Sequence, residues 1–373
     1  MLLLHSLRHL DEDSYALLTR LQASAPRAVD TVLTYPSVGV RTQDALLGNR
    51  EGERGGTAML GALTAAAAIR AGIACTVNVP VSNGTAFLPS LGLLYAPGAD
   101  SVRFECGARE HEKEPGWHPI RTLQAEQKRL RLELALDDID PYRSPDVPSL
   151  RARIPLAELA IWEKLLREAW ILLVSAHPAA AVESAAMLRV LVPMRPASGG
   201  EQTSATFYDS LGAVGTSLPP DALSFAVTLV HEMQHTKLTA LLDLLPLTMP
   251  DGEERYYAPW REDPRPLSGL LQGAYAHLGI AAFWSRQRLV EQGDSRDRAH
   301  LEFARWRAGA TRAARIIAGS GRLTPAGVRF VDEMLDALDG LDAQPVPDAA
   351  GRAAAAAGER HLRRWRERFG TSR

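Results

Sequence analysis

The stretch that most constrains this chain runs from Phe225 to Leu245 and contains the motif His231-Glu-Met-Gln-His235. Residues four apart lie on one face of a helix, about 5–6 Å apart between Cβ atoms, so two imidazoles at this spacing can bind one metal ion. Asp221 suits the N-cap of such a helix, and Pro246 ends the apolar run. The alternative is a buried helix with two hydrogen-bonded histidines, but burying these polar groups without a partner is costly. The motif therefore predicts a metal-binding helix.

A metal held by two histidines needs at least one further protein ligand. The longer metalloprotease pattern, with a third histidine on the same segment, is absent because Leu238 and Leu241 stand where glycine and histidine would be required. Glu253 and Glu254 lie near the spacing of a glutamate ligand on a second helix, but they follow the turn-forming residues 250–252. His277 is the best-placed downstream candidate, on an apolar helix predicted over 267–284. Small residues on that helix would allow close packing against the first one.

Composition restricts the classes of partner. The formal net charge of −2 gives no general electrostatic case for binding nucleic acid. Cys75 and Cys106 do not have the spacing of a metal site, and a reduced, cytoplasmic setting is the simpler interpretation. The alanine-rich run over 57–74 contains Arg70 and is too weakly apolar for a membrane span. A soluble cytoplasmic protein without membrane or nucleic-acid partners is expected.

Sequence patterns predict an α+β fold that is mainly helical with a small mixed or antiparallel sheet. The metal-binding helix is expected to pack on the helix carrying His277, as in zinc-peptidase-like folds. Leucines at 130, 132, 134 and 136 alternate with other residues, which is the clearest half-buried strand in the chain. Four regions are predicted: N-terminal helices (1–75), an α+β region (76–200), a metal-binding catalytic region (201–342), and a linker with a basic C-terminal helix (343–373). The linker itself is predicted over 343–351.

Three carboxylates follow the alternating strand, at Asp137, Asp138 and Asp140. Close carboxylates suggest a metal, but the glycine and the distal glutamate of a calcium loop are missing. A loop capped by aspartate side chains is the preferred interpretation.

The segment 256–266 is rich in aromatic residues, arginines and prolines. Prolines stiffen a loop, and guanidinium groups can donate two parallel hydrogen bonds to a carboxylate. The arginines of this segment, Arg261 and Arg265, are therefore suited to recognising a carboxylate. A solvated surface loop is the alternative.

Three segments together resemble a known family. They are His231-Glu-Met-Gln-His-Thr-Lys-Leu-Thr-Ala-Leu-Leu-Asp-Leu-Leu-Pro246, Tyr256-Tyr-Ala-Pro-Trp-Arg-Glu-Asp-Pro-Arg-Pro-Leu267, and Gly273-Ala-Tyr-Ala-His-Leu-Gly279. The chain resembles the actinobacterial HExxH-motif peptide-modifying family, found with or fused to radical SAM maturases of ribosomal peptides of the FxSxx type. The resemblance is specific over about 200–290 and weaker from about 90 onward. With two cysteines, the chain has no CxxxCxxC motif and so no radical SAM domain of its own.

The resemblance implies an Fe(II)- and α-ketoglutarate-dependent dioxygenase that hydroxylates a side-chain β-carbon in a ribosomal precursor peptide. His231, His235 and His277 would be the metal ligands, Arg261 or Arg265 would hold the distal carboxylate of α-ketoglutarate, and Tyr257 would assist. Glu232 would be a partner that orients a ligand, or a base.

Two rival functions stay open from the residues alone. One is a zinc metallopeptidase, in which Glu232 is the general base acting on a metal-bound water. The other is a non-catalytic peptide-binding accessory protein with a structural metal, which would have a closed four-ligand site. A radical SAM maturase would be a partner under the peptide-modification hypothesis.

Overall fold

The fold is α+β and mainly helical, as the sequence predicts, in a computed structural model that describes residues 2–46, 52–107, 109–143 and 152–370. The helices are α1 (Leu2–Ser6), α2 (Glu12–Ser24), α3 (Pro26–Leu33), α4 (Pro36–Leu46), α5 (Gly52–Ala71), α6 (Leu156–Ala176), α7 (Pro178–Met187), α8 (Ala222–Leu242), α9 (Leu267–Val290), α10 (Gly293–Ala318), α11 (Pro325–Asp342) and α12 (Asp348–Phe369).

The strands are short. They are β1 (Thr76–Pro80), β2 (Thr85–Leu88), β3 (Gly92–Tyr95), β4 (Ser101–Glu105), β5 (Trp117–Pro119), β6 (Arg121–Gln127), β7 (Leu130–Leu136), β8 (Val190–Pro193), β9 (Ser204–Thr206) and β10 (Ala213–Thr216). β1 pairs with β4, β2, β3 and β5 form a second sheet, and the third has the order β6-β7-β8-β10-β9. β8 lies parallel to β7 and β10, while β9 is antiparallel to β10, so this last sheet is mixed.

The chain divides into two compact units whose limits differ from the four predicted regions. The first unit comprises 1–125, 132–166 and 188–219, and the second comprises 126–131, 167–187 and 220–373. The core of the first unit is built around α5, whose leucines and whose alanines at 58, 62 and 65–68 are buried. In the first unit Cys75 and Cys106 are both free thiols.

The second unit is helical over α7 to α12, and its core collects apolar residues from α8, α9, α10 and α11. Asp221 accepts a hydrogen bond from the Ser224 backbone N–H at 2.7 Å and caps α8 as predicted. α8 ends at Leu242, three residues before the end of the apolar run.

Some predicted boundaries were wrong. α9 continues six residues beyond the predicted end at Trp284, to Val290, because Phe283 and Trp284 are buried and no breaker follows them. α12 begins at Asp348, inside the predicted linker of 343–351, since alanine favours a helix wherever packing permits it. β2 and β3 form a hairpin, joined at residues 89–91. Among the described residues, no helix is both long enough and apolar enough to cross a membrane.

Candidate metal centre and adjoining pocket

The second unit brings together the three predicted histidine ligands. His231 and His235 lie one turn apart on α8, and their Nε2 atoms are 3.2 Å apart. His277 on α9 lies beside them, with its ring centroid 5.0 Å from that of His231. We call His231, His235 and His277 the imidazole cluster. Because metal–nitrogen bonds to imidazole are about 2.0–2.1 Å long, two nitrogens at the observed separation can bind one ion.

Hydrogen bonds fix which nitrogen of His235 is available. Its Nδ1 lies 3.1 Å from the side-chain oxygen of Gln272, whose amide nitrogen in turn donates to the Thr239 hydroxyl at 3.3 Å. A carbonyl oxygen only accepts, so Nδ1 of His235 carries the proton and Nε2 keeps its lone pair. This is the way a metal-binding histidine is normally oriented by a second hydrogen-bond partner.

His277 is oriented in the same way by its own helix. Its Nδ1 donates to the backbone carbonyl of Gly273 at 2.8 Å, one turn earlier, which leaves Nε2 as an acceptor. The ring is held between two indoles: Trp260 is stacked on it with centroids 4.2 Å apart, and Trp306 packs on it at 4.7 Å. His277 is buried, with 7% of its surface exposed.

Burial favours the neutral form of two of these imidazoles, His231 and His277. Burial lowers the pKa of His231 to about 4. Burial, followed by the neighbouring His231, lowers the pKa of His277 well below its ordinary value. Neutral imidazole is the metal-binding form, so neither His231 nor His277 has to lose a proton to bind an ion at neutral pH.

The donor set fits a transition metal but is not closed around one. Across 2–46, 52–107, 109–143 and 152–370, no group of three or more His, Cys, Asp and Glu side chains is arranged to hold a metal ion. The nitrogen spacing of His231 and His235 suits binding of one ion. His277 lies beside this pair but does not complete a three-ligand arrangement. Imidazole donors suit iron and zinc alike, so these residues fit either metal. Glu232 is 2% exposed, next to His231 on α8.

Two glycines on α9 make this arrangement possible. A side chain at Gly279 would collide with Gln234 of the α8 motif, and a side chain at Gly273 would collide with the indole of Trp260. The prediction that small residues allow α9 to pack closely on α8 is confirmed. Gly273 has two roles, since its carbonyl orients His277 and its missing side chain admits Trp260.

Two backbone hydrogen bonds close the loop that was predicted to bind a carboxylate. The N–H of Tyr256 donates to the carbonyl of Arg265 at 2.8 Å, and the N–H of Arg265 donates to the carbonyl of Tyr256 at 2.9 Å. Arg261 donates to Asp263 at 2.8 Å, and Arg265 lies 3.5 Å from the same carboxylate. The two predicted arginines thus share one carboxylate of their own loop. The loop also supplies Trp260 to the imidazole cluster.

Tyr257 faces a different place from the two arginines. Its hydroxyl is 2.8 Å from Nδ1 of His361 on α12, and it lines a pocket of about 540 Å³. Trp260 and Trp306, which hold His277, line the same pocket, and neither Arg261 nor Arg265 is among its described lining residues. Sequence reasoning did not assign Gln272, Gly273 or Trp306, which carry no recognisable motif. Trp260 was in the quoted loop, but nothing in the sequence shows where its indole packs.

The other candidate metal site is a carboxylate cluster in the first unit, formed by Asp137, Asp138 and Asp140. The backbone N–H groups of Ile139 and Asp140 donate to Asp137, and so does the Tyr35 hydroxyl, at 2.6 Å. Asp138 is bound by the guanidinium groups of Arg121 and Arg153. These contacts match a loop capped by aspartates.

No protein-family model matches the chain, and a comparison with curated proteins also finds no match.

Proposed function

We propose that this protein is an Fe(II)- and α-ketoglutarate-dependent dioxygenase that hydroxylates a side-chain β-carbon of a ribosomally made peptide. The observation that carries the proposal is the pair of Nε2 atoms 3.2 Å apart, with the opposite nitrogen of His235 bound to Gln272. Two bare nitrogens this close repel each other unless a proton or a cation lies between them. The three segments that resemble the peptide-modifying family point to iron as that cation.

In this proposal His231, His235 and His277 hold the iron, with α9 packed on α8 as in zinc-peptidase-like folds. Iron, when bound with α-ketoglutarate and O₂, supplies the oxidising chemistry that turns C–H into C–OH. Three protein ligands leave positions open for other molecules, which a structural site does not. Gln272 and the Gly273 carbonyl keep the Nδ1 protons in place and so keep the two Nε2 atoms available. The indoles of Trp260 and Trp306 exclude water from one side of His277.

Arg261 and Arg265 stay the proposed partners of the distal carboxylate of α-ketoglutarate, whereas the expected assistance by Tyr257 is dropped because its hydroxyl lies against His361. Either arginine would exchange its contact with Asp263 for the ligand. Changing Arg265 to Gln should then raise the α-ketoglutarate concentration needed for half-maximal turnover without changing the iron content. If neither arginine has this effect, the cosubstrate binds elsewhere.

The test of the iron proposal needs no peptide. Metal-free protein is given Fe(II) and then α-ketoglutarate under argon, and the visible spectrum is recorded. A weak charge-transfer band should appear only when both are present, and it should be absent in His231→Ala, which should also lose stoichiometric iron. His300→Ala, which changes a histidine of α10 outside the imidazole cluster, should keep both. Full iron binding by His231→Ala would refute the assignment.

A zinc metallopeptidase is the second candidate, favoured by the buried Glu232 directly after His231. In that case Glu232→Gln would keep zinc and lose peptide hydrolysis, because the base would be gone while the ligands remained. Zinc retained through purification, together with no band from Fe(II) and α-ketoglutarate, would favour this function. Retained zinc without hydrolysis would favour the accessory protein with a structural metal.

A peptide gene and a radical SAM maturase gene beside this one would favour peptide modification and a cytoplasmic location.

A further inference from the structure

The pocket that Tyr257 lines is built by three segments of the second unit. Tyr257, Pro259 and Trp260 come from the loop before α9, residues 301–312 from α10, and residues 353–364 from α12. We call it the α10–α12 pocket. Its volume of about 540 Å³ lies within the range of about 300–1,000 Å³ that is typical of small-ligand sites.

The charged groups of the α10–α12 pocket are mostly cationic. The described lining contains four arginines and two glutamates, listed as Arg305, Arg312, Arg360, Arg364, Glu302 and Glu359. Arg312 and Glu359 neutralise each other across the pocket at 3.0 Å. The lining then keeps three further guanidinium groups, those of Arg305, Arg360 and Arg364, and one carboxylate, that of Glu302. Among the described residues, none of these three arginines forms an ion pair.

Aromatic surface lies next to these charges. Arg305 lies over the Trp306 ring, 4.6 Å from its centroid. Trp306 and Trp260 both line the pocket and both pack on His277. One wall of the α10–α12 pocket is therefore also the wall of the imidazole cluster, and a ligand in the pocket would lie against the indoles that hold His277.

We infer that the α10–α12 pocket binds the carboxylate group of an organic anion, with Arg360 and Arg364 as its cationic partners. Guanidinium and carboxylate match in shape and can form two parallel charge-assisted hydrogen bonds. The indoles would cover the apolar part of the same ligand. The carboxylate could come from an acidic side chain of a peptide or from a free dicarboxylic acid, and both have the same chemistry at the arginines.

The inference goes beyond the proposed function because binding at the α10–α12 pocket does not require a metal. Whether the bound anion is a substrate segment or a small acid used in the reaction does rest on the proposed function. An acidic peptide held here would lie against the two indoles that pack on His277.

The experiment is isothermal titration calorimetry on the metal-free full chain at low salt, with three probes. They are a capped tetrapeptide of glutamates, the same peptide made of glutamines, and glutarate. The glutamate peptide or glutarate should bind, and the glutamine peptide should not. Arg364→Gln and Arg360→Gln should each weaken binding about tenfold, because one charge-assisted contact to the carboxylate is lost. Added salt should weaken it further.

Arg363→Gln is the matched control, since Arg363 is the exposed neighbour of Arg364 on α12 and does not line the pocket. Circular dichroism and the unfolding midpoint should be the same for all three variants. Binding of the glutamate peptide alone would identify a peptide carboxylate, and binding of glutarate alone would identify a free acid. Three results would overturn the inference. The first is no binding by any probe, and the second is equal affinity for the glutamate and glutamine peptides without glutarate binding. The third is an equal loss of affinity in Arg363→Gln and Arg364→Gln. The iron proposal would be unaffected, because its test is the spectrum of the iron-loaded protein.

Discussion

The imidazole cluster of the second unit and the carboxylate cluster of the first unit both contain three potential metal ligands, yet their hydrogen bonding is opposite. In the carboxylate cluster, the oxygens of Asp137 and Asp138 already accept from Tyr35, backbone N–H groups and two arginines. In the imidazole cluster, the hydrogen bonds of His235 and His277 to residues outside the cluster use Nδ1, the nitrogen that is not required for a metal. A group of potential ligands is thus a candidate metal site only if its lone pairs are not already used by the fold.

The largest effect expected from this comparison is on stability. Asp138 is completely buried between Arg121 and Arg153, and it also accepts from the Ile154 backbone N–H at 2.9 Å. Replacing it with Ala should lower the free energy of unfolding by about 3–5 kcal/mol, because a buried charge is left unpaired. Urea unfolding measures the loss.

Asp30→Ala is the control for Asp138→Ala, since Asp30 is exposed on α3. Metal content should be unchanged in both variants. A metal deficit in Asp138→Ala with unchanged stability would mean that the carboxylate cluster, and not the imidazole cluster, is the ligand site.

The next effect is the pH dependence of stability contributed by the carboxylate cluster. Burial, followed by the charge of Asp137, raises the pKa of Asp140 to about 7. The folded state then holds a proton that the unfolded chain releases near pH 4, so this contribution to stability is complete below that pH and is lost as the pH rises towards 7. Its size should be at most a few kcal/mol, at about 1.4 kcal/mol per pKa unit.

The side-chain amide introduced by Asp140→Asn does not ionise. Urea unfolding at about pH 5 and about pH 8 should therefore show a smaller decrease in stability for Asp140→Asn than for the unchanged protein. An identical decrease in both would show that Asp140 is ionised throughout and that its carboxylate is stabilised by Arg41 or Arg143.

The smallest effect concerns the hydrogen bond that distinguishes His235 from a core histidine. Gln272→Ala should reduce metal affinity about 10–100-fold while leaving the fold intact, because the ring would lose the partner that fixes its tautomer. Competition against a chromophoric chelator measures the affinity.

The control for Gln272→Ala is Gln287→Ala, which removes another amide–histidine contact of the same unit, to His177 at 2.8 Å. It should leave metal affinity unchanged and lower the free energy of unfolding, since His177 and Gln287 are both buried. Equal losses of affinity in the two variants would mean that the effect of Gln272 comes from general loosening of α9.

Local patterns were sufficient for much of the fold. The N-cap at Asp221, the helix carrying His231 and His235, and the strand β7 were predicted because capping, periodicity of side chains and alternation depend on residues close together in the chain. Boundaries failed where packing extends an element, as at the end of α9, or where alanines continue a helix into a predicted linker, as at the start of α12.

The sequence by itself determined that two imidazoles lie on one face of one helix, because the four-residue spacing and the period of the helix are both local. Only the tertiary structure decided that His277 lies beside them between two indoles, that Gln272 orients His235, and that Arg261 and Arg265 share Asp263. The physical reason is that these contacts join residues distant in the chain, and whether a lone pair is free depends on which donor the fold places against it.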